Sequence, residues 1–193
     1  MTSLSHFTLA VLLLLLVPGP TNTLLLTAGA THGLRKSLPL LAAEALGYLV
    51  TVHLLIFLNG LLIEQVSAAK PAIQIACALY LVFLAVRIWL GSFSAAQTPR
   101  AISFWDVQIT TLLNPKAFIL AFAIVPYAFD TEWRFAAPYS ASMMATIVSA
   151  GLAWVALGAL VKSGQVVSVP STIIQRVSAV ALVLFAGLLI ARL

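Results

Sequence analysis

Residues 102–129 form an apolar run of membrane-spanning length, with Asn114-Pro115-Lys116 near its centre. A span needs about 20 predominantly apolar residues. A charged side chain at the bilayer centre costs roughly 2.5 to 3.5 kcal/mol on insertion scales, so Lys116 is expected to face a partner, a cavity or a pathway. Pro115 removes one backbone N–H and crowds the carbonyl four residues back, which kinks or opens a helix. Backbone freed at membrane depth is tolerated only where protein or cavity water satisfies it. An amide, a helix breaker and a fixed charge on adjacent residues therefore point to a site.

The rest of the chain extends the same solvent argument. It is 62% hydrophobic and 8% charged over 193 residues, against about 45 to 50% and about 25% in soluble domains. That leaves too little polar surface for water and predicts an all-α integral membrane protein. The length allows six short-looped helices in a single transmembrane domain, residues 1–193, with no separate soluble domain. A formal charge of +5, with no basic run of five or more, leaves no nucleic-acid footprint. One cysteine, Cys77, excludes an intrachain disulfide or a multi-cysteine metal site. No cofactor and no metal are expected.

In order, helix 1 is expected over residues 6–30, interrupted by Val17-Pro18-Gly19-Pro20-Thr21-Asn22. A signal peptide competes for its first half, but residues 1–7 carry no Lys or Arg, which such signals need. Residues 31–37 read as a connection, followed by helix 2 over 38–63 with Glu44, Gly47 and His53, and a charged turn with Glu64 and Lys70. Helix 3 follows over 71–90. The polar stretch 91–101 is the expected linker between halves. Helix 4 is the run 102–129, then a turn with Asp130, Glu132 and Arg134, helix 5 over 138–161, a loop over 162–171 and helix 6 over 172–190. Helix 5 is rich in small residues, the composition that lets helices approach closely in lipid.

Arg35, Lys36, Arg87, Arg100, Lys162 and Arg176 fall on one side of this layout, and Lys70, Arg134 and Arg192 on the other. The positive-inside rule makes the first side cytoplasmic and places both termini outside, in the periplasm of a bacterium. Division at 91–101 gives two three-helix halves, about 1–90 and 102–193, and an odd number per half inverts the second. Helices 1 and 4 are then broken at corresponding depths near the midplane, by Pro18-Gly19-Pro20 and Asn114-Pro115. Paired breaks of this kind are the best sequence pointer to a transporter's site. The inverted repeat requires that the two breaks approach each other.

Pro18-Gly19-Pro20-Thr21-Asn22, then Gly33-Leu34-Arg35 and Gly47, then Asn114-Pro115-Lys116-Ala117 and Pro126, resemble the lysine-exporter (LysE/RhtB) family of amino-acid efflux proteins. The match is collinear over nearly the whole chain. It implies secondary export of amino acids or their derivatives across a bacterial inner membrane, driven by the proton-motive force. Thr21 and Glu44 depart from the family's usual residues, which bears on the substrate rather than on the class.

An amino acid carries a carboxylate and an ammonium. Lys116 is the natural partner for the carboxylate, with backbone N–H groups freed around Gly19–Asn22 as further donors. Asn22, Thr21 and Asn114 can hydrogen-bond either end. Glu44 and Asp106 are the candidates for the ammonium or for a coupling proton. The structural alternatives are a fixed Lys116 ion pair with Glu44 or Asp106, and a helix-capping role for Asp106. His53 is expected to be a packing residue, and Gly29 with Gly33 a close-packing face. Trp89, Trp105, Trp133 and Tyr127 suit interfacial belts. A divalent-metal or other small-solute exporter, an intramembrane enzyme and a structural subunit are the rival classes. No His-rich or acidic loop favours the first, and no zinc or nucleophile motif the second. A homodimer stays open.

Overall fold

The computed structural model describes residues 3–63, 69–90, 101–125, 133–164 and 171–191. Among the described residues all regular structure is helical: α1 (Leu4–Leu16), α2 (Pro20–His32), α3 (Leu34–Ile63), α4 (Ala69–Trp89), α5 (Phe104–Leu112), α6 (Pro115–Ile119) running into a π turn (Leu120–Ile124), α7 (Trp133–Lys162) and α8 (Ser171–Ile190). The turn around Glu64, the linker up to Arg100, Pro126, Tyr127, Asp130, Glu132 and Arg192 lie outside the described residues.

Local chemistry explains where the helices stop. Pro18 and Pro20 lack the N–H groups that would bond the carbonyls of Leu14 and Leu16, so α1 ends at Val17. Gly19 is extended and serves as N-cap of α2, and Pro20 fills the first helical position, where a missing N–H costs nothing. α1 and α2 are together long and apolar enough for a membrane span, and they are bent by 66° at this break. The predicted interruption of helix 1 is thus a true break with a new helix start.

α2 ends at Gly33, whose φ of +83° suits only glycine, and whose N–H bonds the Gly29 carbonyl at 3.0 Å. The Ser37 hydroxyl donates to the Gly33 carbonyl at 2.9 Å. One glycine therefore makes the whole turn. The expected connection over 31–37 is corrected: only Gly33 is non-helical there, and α3 starts at Leu34. Helix 4 also divides. α5 ends at Leu112, Asn114 caps α6, Pro115 takes its first position, and the last turn widens to a π turn closed by Val125 N–H on the Leu120 carbonyl.

Leu34–Leu58 and Ala136–Lys162 are long and apolar enough to cross a membrane, while the apolar stretches Ile75–Trp89 and Arg176–Ile190 are shorter. Leu79, Leu90, Phe57 and Leu184 are among many large apolar side chains that point outward, an exterior that water penalises and lipid accepts. Inside, one apolar cluster joins Phe7, Tyr48, Leu81, Met143 and Leu189; a smaller one joins Leu25, Leu41, Val107 and Val155.

α2 packs mainly on α7, α4 on α8, and α3 on both α5 and α7. Glycines set the closest approaches. A Cβ on Gly29 would run into the Val155 carbonyl of α7, and one on Gly158 into the Leu26 carbonyl of α2. Gly33 has nothing near it, so the expected Gly29–Gly33 face is corrected: Gly29 packs through its own partner on α7, and Gly33 serves the turn.

Candidate functional site

The break after α1 leaves carbonyls without their helical N–H partners, a debt that buried backbone must settle elsewhere. Four side chains settle it. Asn22 Nδ2 donates to the carbonyls of Leu15 (2.7 Å) and Val17 (2.9 Å). The Trp154 indole of α7 donates to the Leu15 carbonyl at 3.3 Å. The Lys116 ammonium reaches the same two oxygens, at 3.5 Å from that of Leu15 and in close contact with that of Val17. The Ser178 hydroxyl of α8 donates to the Pro18 carbonyl at 2.8 Å.

Lys116 is 2% exposed. Its partners are backbone carbonyls of the broken α1 rather than Glu44 or Asp106. A cation at a helix C-terminus is favourable, because the last carbonyls carry about half a negative charge. Gly19 makes room for the lysine: a Cβ there would lie 3.1 Å from Lys116 Cε and 3.3 Å from Nζ.

The second break is tied to the first. Asn114 Oδ1 accepts from the Lys116 N–H at 3.0 Å, which is the N-cap of α6. Its Nδ2 donates to Thr21 Oγ1 at 2.9 Å and to the Tyr48 hydroxyl at 3.1 Å. Thr21 and Thr111 hydroxyls lie 3.3 Å apart, and Thr111 donates to the Val107 carbonyl at 2.8 Å. Thr51 donates to the Leu112 carbonyl at 3.3 Å, which satisfies the end of α5. The approach is close because Gly47 faces Thr111, whose Cβ would stand 2.7 Å from any added Cβ. Lys116, Asn114, Pro115, Thr21, Asn22 and Gly19 are all buried together.

The two candidate acids differ. Asp106 is half-buried at the start of α5, where its carboxylate accepts from the Ser103 N–H (2.8 Å) and hydroxyl (2.7 Å) in a capping box. Glu44 is 2% exposed on α3, and its Oε2 has no hydrogen-bond partner among the described residues. Gly151 of α7 leaves it space: a Cβ there would collide with that oxygen. His53 Nδ1 lies 2.8 Å from the Leu49 carbonyl, on its own helix.

A cavity of about 10 Å³ opens onto the two breaks, lined by Val17, Pro18, Gly19, Lys116, Ser178 and Phe185 among others. That is room for about one water, so an amino acid enters only if helices part. Glu44 lies outside this lining.

Sequence reasoning missed Tyr48, Thr111, Trp154 and Ser178. Tyr48 lies four residues after Glu44, on the same helical face, and Trp154 sits mid-helix, too deep for an interfacial belt. Those two left a signal. Ser178, a small residue inside the apolar α8, did not.

The family model for the LysE type translocator matches residues 12–192. A cysteine/O-acetylserine efflux protein of Klebsiella pneumoniae is 30% identical over 166 residues, covering 82% of this chain and 78% of that protein. A protein of the same description from Escherichia coli is 32% identical over 120 residues, 61% of each chain. No solved structure matches significantly.

Proposed function

This chain belongs to the LysE type translocator family and is a transporter rather than an enzyme, and we propose that it exports a small amino acid or derivative through the site between its two helix breaks. The observation that carries this reading is Lys116: a buried ammonium between two broken helices, beside a cavity, with no carboxylate in direct contact among the described residues. A substrate carboxylate is the group it lacks. The relatives described as cysteine/O-acetylserine efflux proteins favour small, uncharged side chains, and the apolar walls of Leu14, Ile88, Leu182 and Phe185 suit them.

In this reading Lys116 binds the carboxylate, helped by N–H groups at the start of α2 around Thr21 and Asn22. Asn114 and Thr21 lock the breaks together, and Pro18, Pro20 and Pro115 create them. Glu44 carries the coupling proton, since a buried oxygen without a hydrogen-bond partner among the described residues marks a group whose partner changes during the cycle. Asp106 serves α5 as its cap. Six spans in two inverted three-helix repeats fit the placement of a proline at the first position of both α2 and α6, and the contact between the breaks. The membrane is the bacterial inner membrane, with both termini periplasmic by the count of Lys and Arg, and a dimer is compatible with the outward apolar faces.

The test is efflux from cells overproducing the protein and loaded with a panel of amino acids as dipeptides, O-acetylserine included, beside Lys116→Ala. Loss of one amino acid from the cells, abolished in the variant, supports the reading. Absence of any efflux from a well-inserted protein overturns it.

A further inference from the structure

An amino-acid carrier must hold an ammonium as well as a carboxylate, and the chain already holds one primary ammonium in this cavity, its own. We propose that the carbonyl oxygens of Leu15, Val17 and Pro18 form the subsite for the substrate's ammonium, and that Lys116 occupies it until a substrate displaces it. The inference rests on the amino-acid reading above and names which end of the substrate goes where.

The break takes away the N–H groups that these carbonyls would bond in a continuous helix, so three oxygens at the C-terminal end of α1 accept from side chains instead. The Leu15 and Val17 oxygens hold the Lys116 ammonium, the Pro18 oxygen takes the Ser178 hydroxyl, and with the half-charge of that helix end they favour a cation without any carboxylate. Leu15 is over-supplied: its oxygen has two lone pairs but three donors, Asn22 at 2.7 Å, Trp154 at 3.3 Å and Lys116 at 3.5 Å. The lysine contact is the longest of the three and the one most readily exchanged. Val17, Pro18, Ser178 and Lys116 line the cavity, whereas neither Leu15 nor Glu44 does. An ammonium entering there meets carbonyls first.

The exchange conserves charge. One ammonium leaves the carbonyls as another arrives, and the released Lys116 head is free to take the carboxylate of the same molecule. Binding then also removes the Lys116 bonds from α6 to the end of α1, leaving the Asn114–Thr21 bond as a tie between the breaks. Substrate entry and loosening of the two breaks become one event.

Binding of labelled ethylammonium, a small primary ammonium with no carboxylate, tests the subsite directly on purified protein in lipid nanodiscs. Lys116→Met keeps the volume of the stem and removes the occupant, so it should bind ethylammonium about tenfold or more tightly than the original chain. Adding Glu44→Gln should leave that gain intact. No gain, or a gain that disappears with Glu44→Gln, overturns the proposal.

A second measurement leaves Lys116 in place. In inverted membrane vesicles of Glu44→Gln, exchange of labelled L-cysteine should still be competed about tenfold or more better by L-cysteine than by 3-mercaptolactate, which has a hydroxyl for the ammonium. Collapse of that preference would assign the ammonium to Glu44. Failure of the unaltered chain to move any amino acid overturns the transport reading instead, while the ethylammonium result still decides the subsite.

Discussion

Asn114 and Thr21, one at each helix break, are joined by a hydrogen bond of 2.9 Å from Nδ2 to Oγ1. The same amide group also donates to Tyr48 of α3, and its oxygen caps α6. Three segments distant in sequence thus meet on one side chain, and a sequence in which the two breaks did not touch would have no site here. This contact is what lets a charge in α6 answer the carbonyls of α1.

Lys116→Ala should abolish efflux while the protein still inserts and accumulates. Leaving buried acceptors short of a donor costs about 1 to 3 kcal/mol, but Asn22 and Trp154 still cover Leu15, and Asn22 still covers Val17. The loss should therefore fall on transport more than on folding. Efflux measured beside the amount of protein in the membrane checks it, and normal efflux would remove Lys116 from the site.

Gly19→Ala is expected to fold and to transport poorly. The added methyl would stand 3.1 Å from Lys116 Cε, the flexible end of a long side chain, so the lysine yields rather than the backbone. Crowding of this kind costs about 1 to 3 kcal/mol, and displacement of the ammonium should weaken efflux about fivefold or more. A variant with unchanged apparent affinity for its substrate would show that the lysine head has no fixed place in binding.

The break residues were legible because proline and lysine are costly in an apolar run: Pro18, Pro20, Pro115 and Lys116 each violate a local rule, and the structure places all four at one locus. The family was legible for the same reason, from those motifs in order. What answers the charge was not. Backbone carbonyls have no letter in a sequence, so Leu15 and Val17 looked like any other apolar positions, and an ion pair with Glu44 or Asp106 was the alternative set beside a substrate role. The turn at 31–37 was overdrawn because Arg35 and Lys36 read as loop residues, although exposed basic residues sit comfortably in the first turns of α3 once Gly33 has reversed the chain.

Gly158→Ala should destabilise the protein where Gly187→Ala should not. A Cβ on Gly158 would enter the Leu26 carbonyl, and α2 would have to retreat from α7; a Cβ on Gly187 meets nothing within 4 Å. Overpacking costs about 1 to 3 kcal/mol or more where backbone is the obstacle, against a gain of a few tenths to about 1 kcal/mol for Gly→Ala in an open helical position. Thermal unfolding of the two purified variants in one detergent measures the difference. Equal melting temperatures would mean that α2 and α7 are not held at this distance.

Glu44→Gln should leave exchange of substrate across the membrane intact and weaken uphill export. The amide matches the carboxyl in shape and fits beside Gly151, so packing of α3 on α7 is preserved, yet it carries no exchangeable charge. Export against a gradient needs the proton to be taken on one side and released on the other; exchange of labelled for unlabelled substrate does not. Vesicles with an imposed proton gradient should therefore accumulate substrate in the original chain and only equilibrate it in the variant. Accumulation at the original level, with the same dependence on the imposed gradient, would place the coupling group elsewhere, and the unpartnered oxygen of Glu44 would then have to be explained by packing alone.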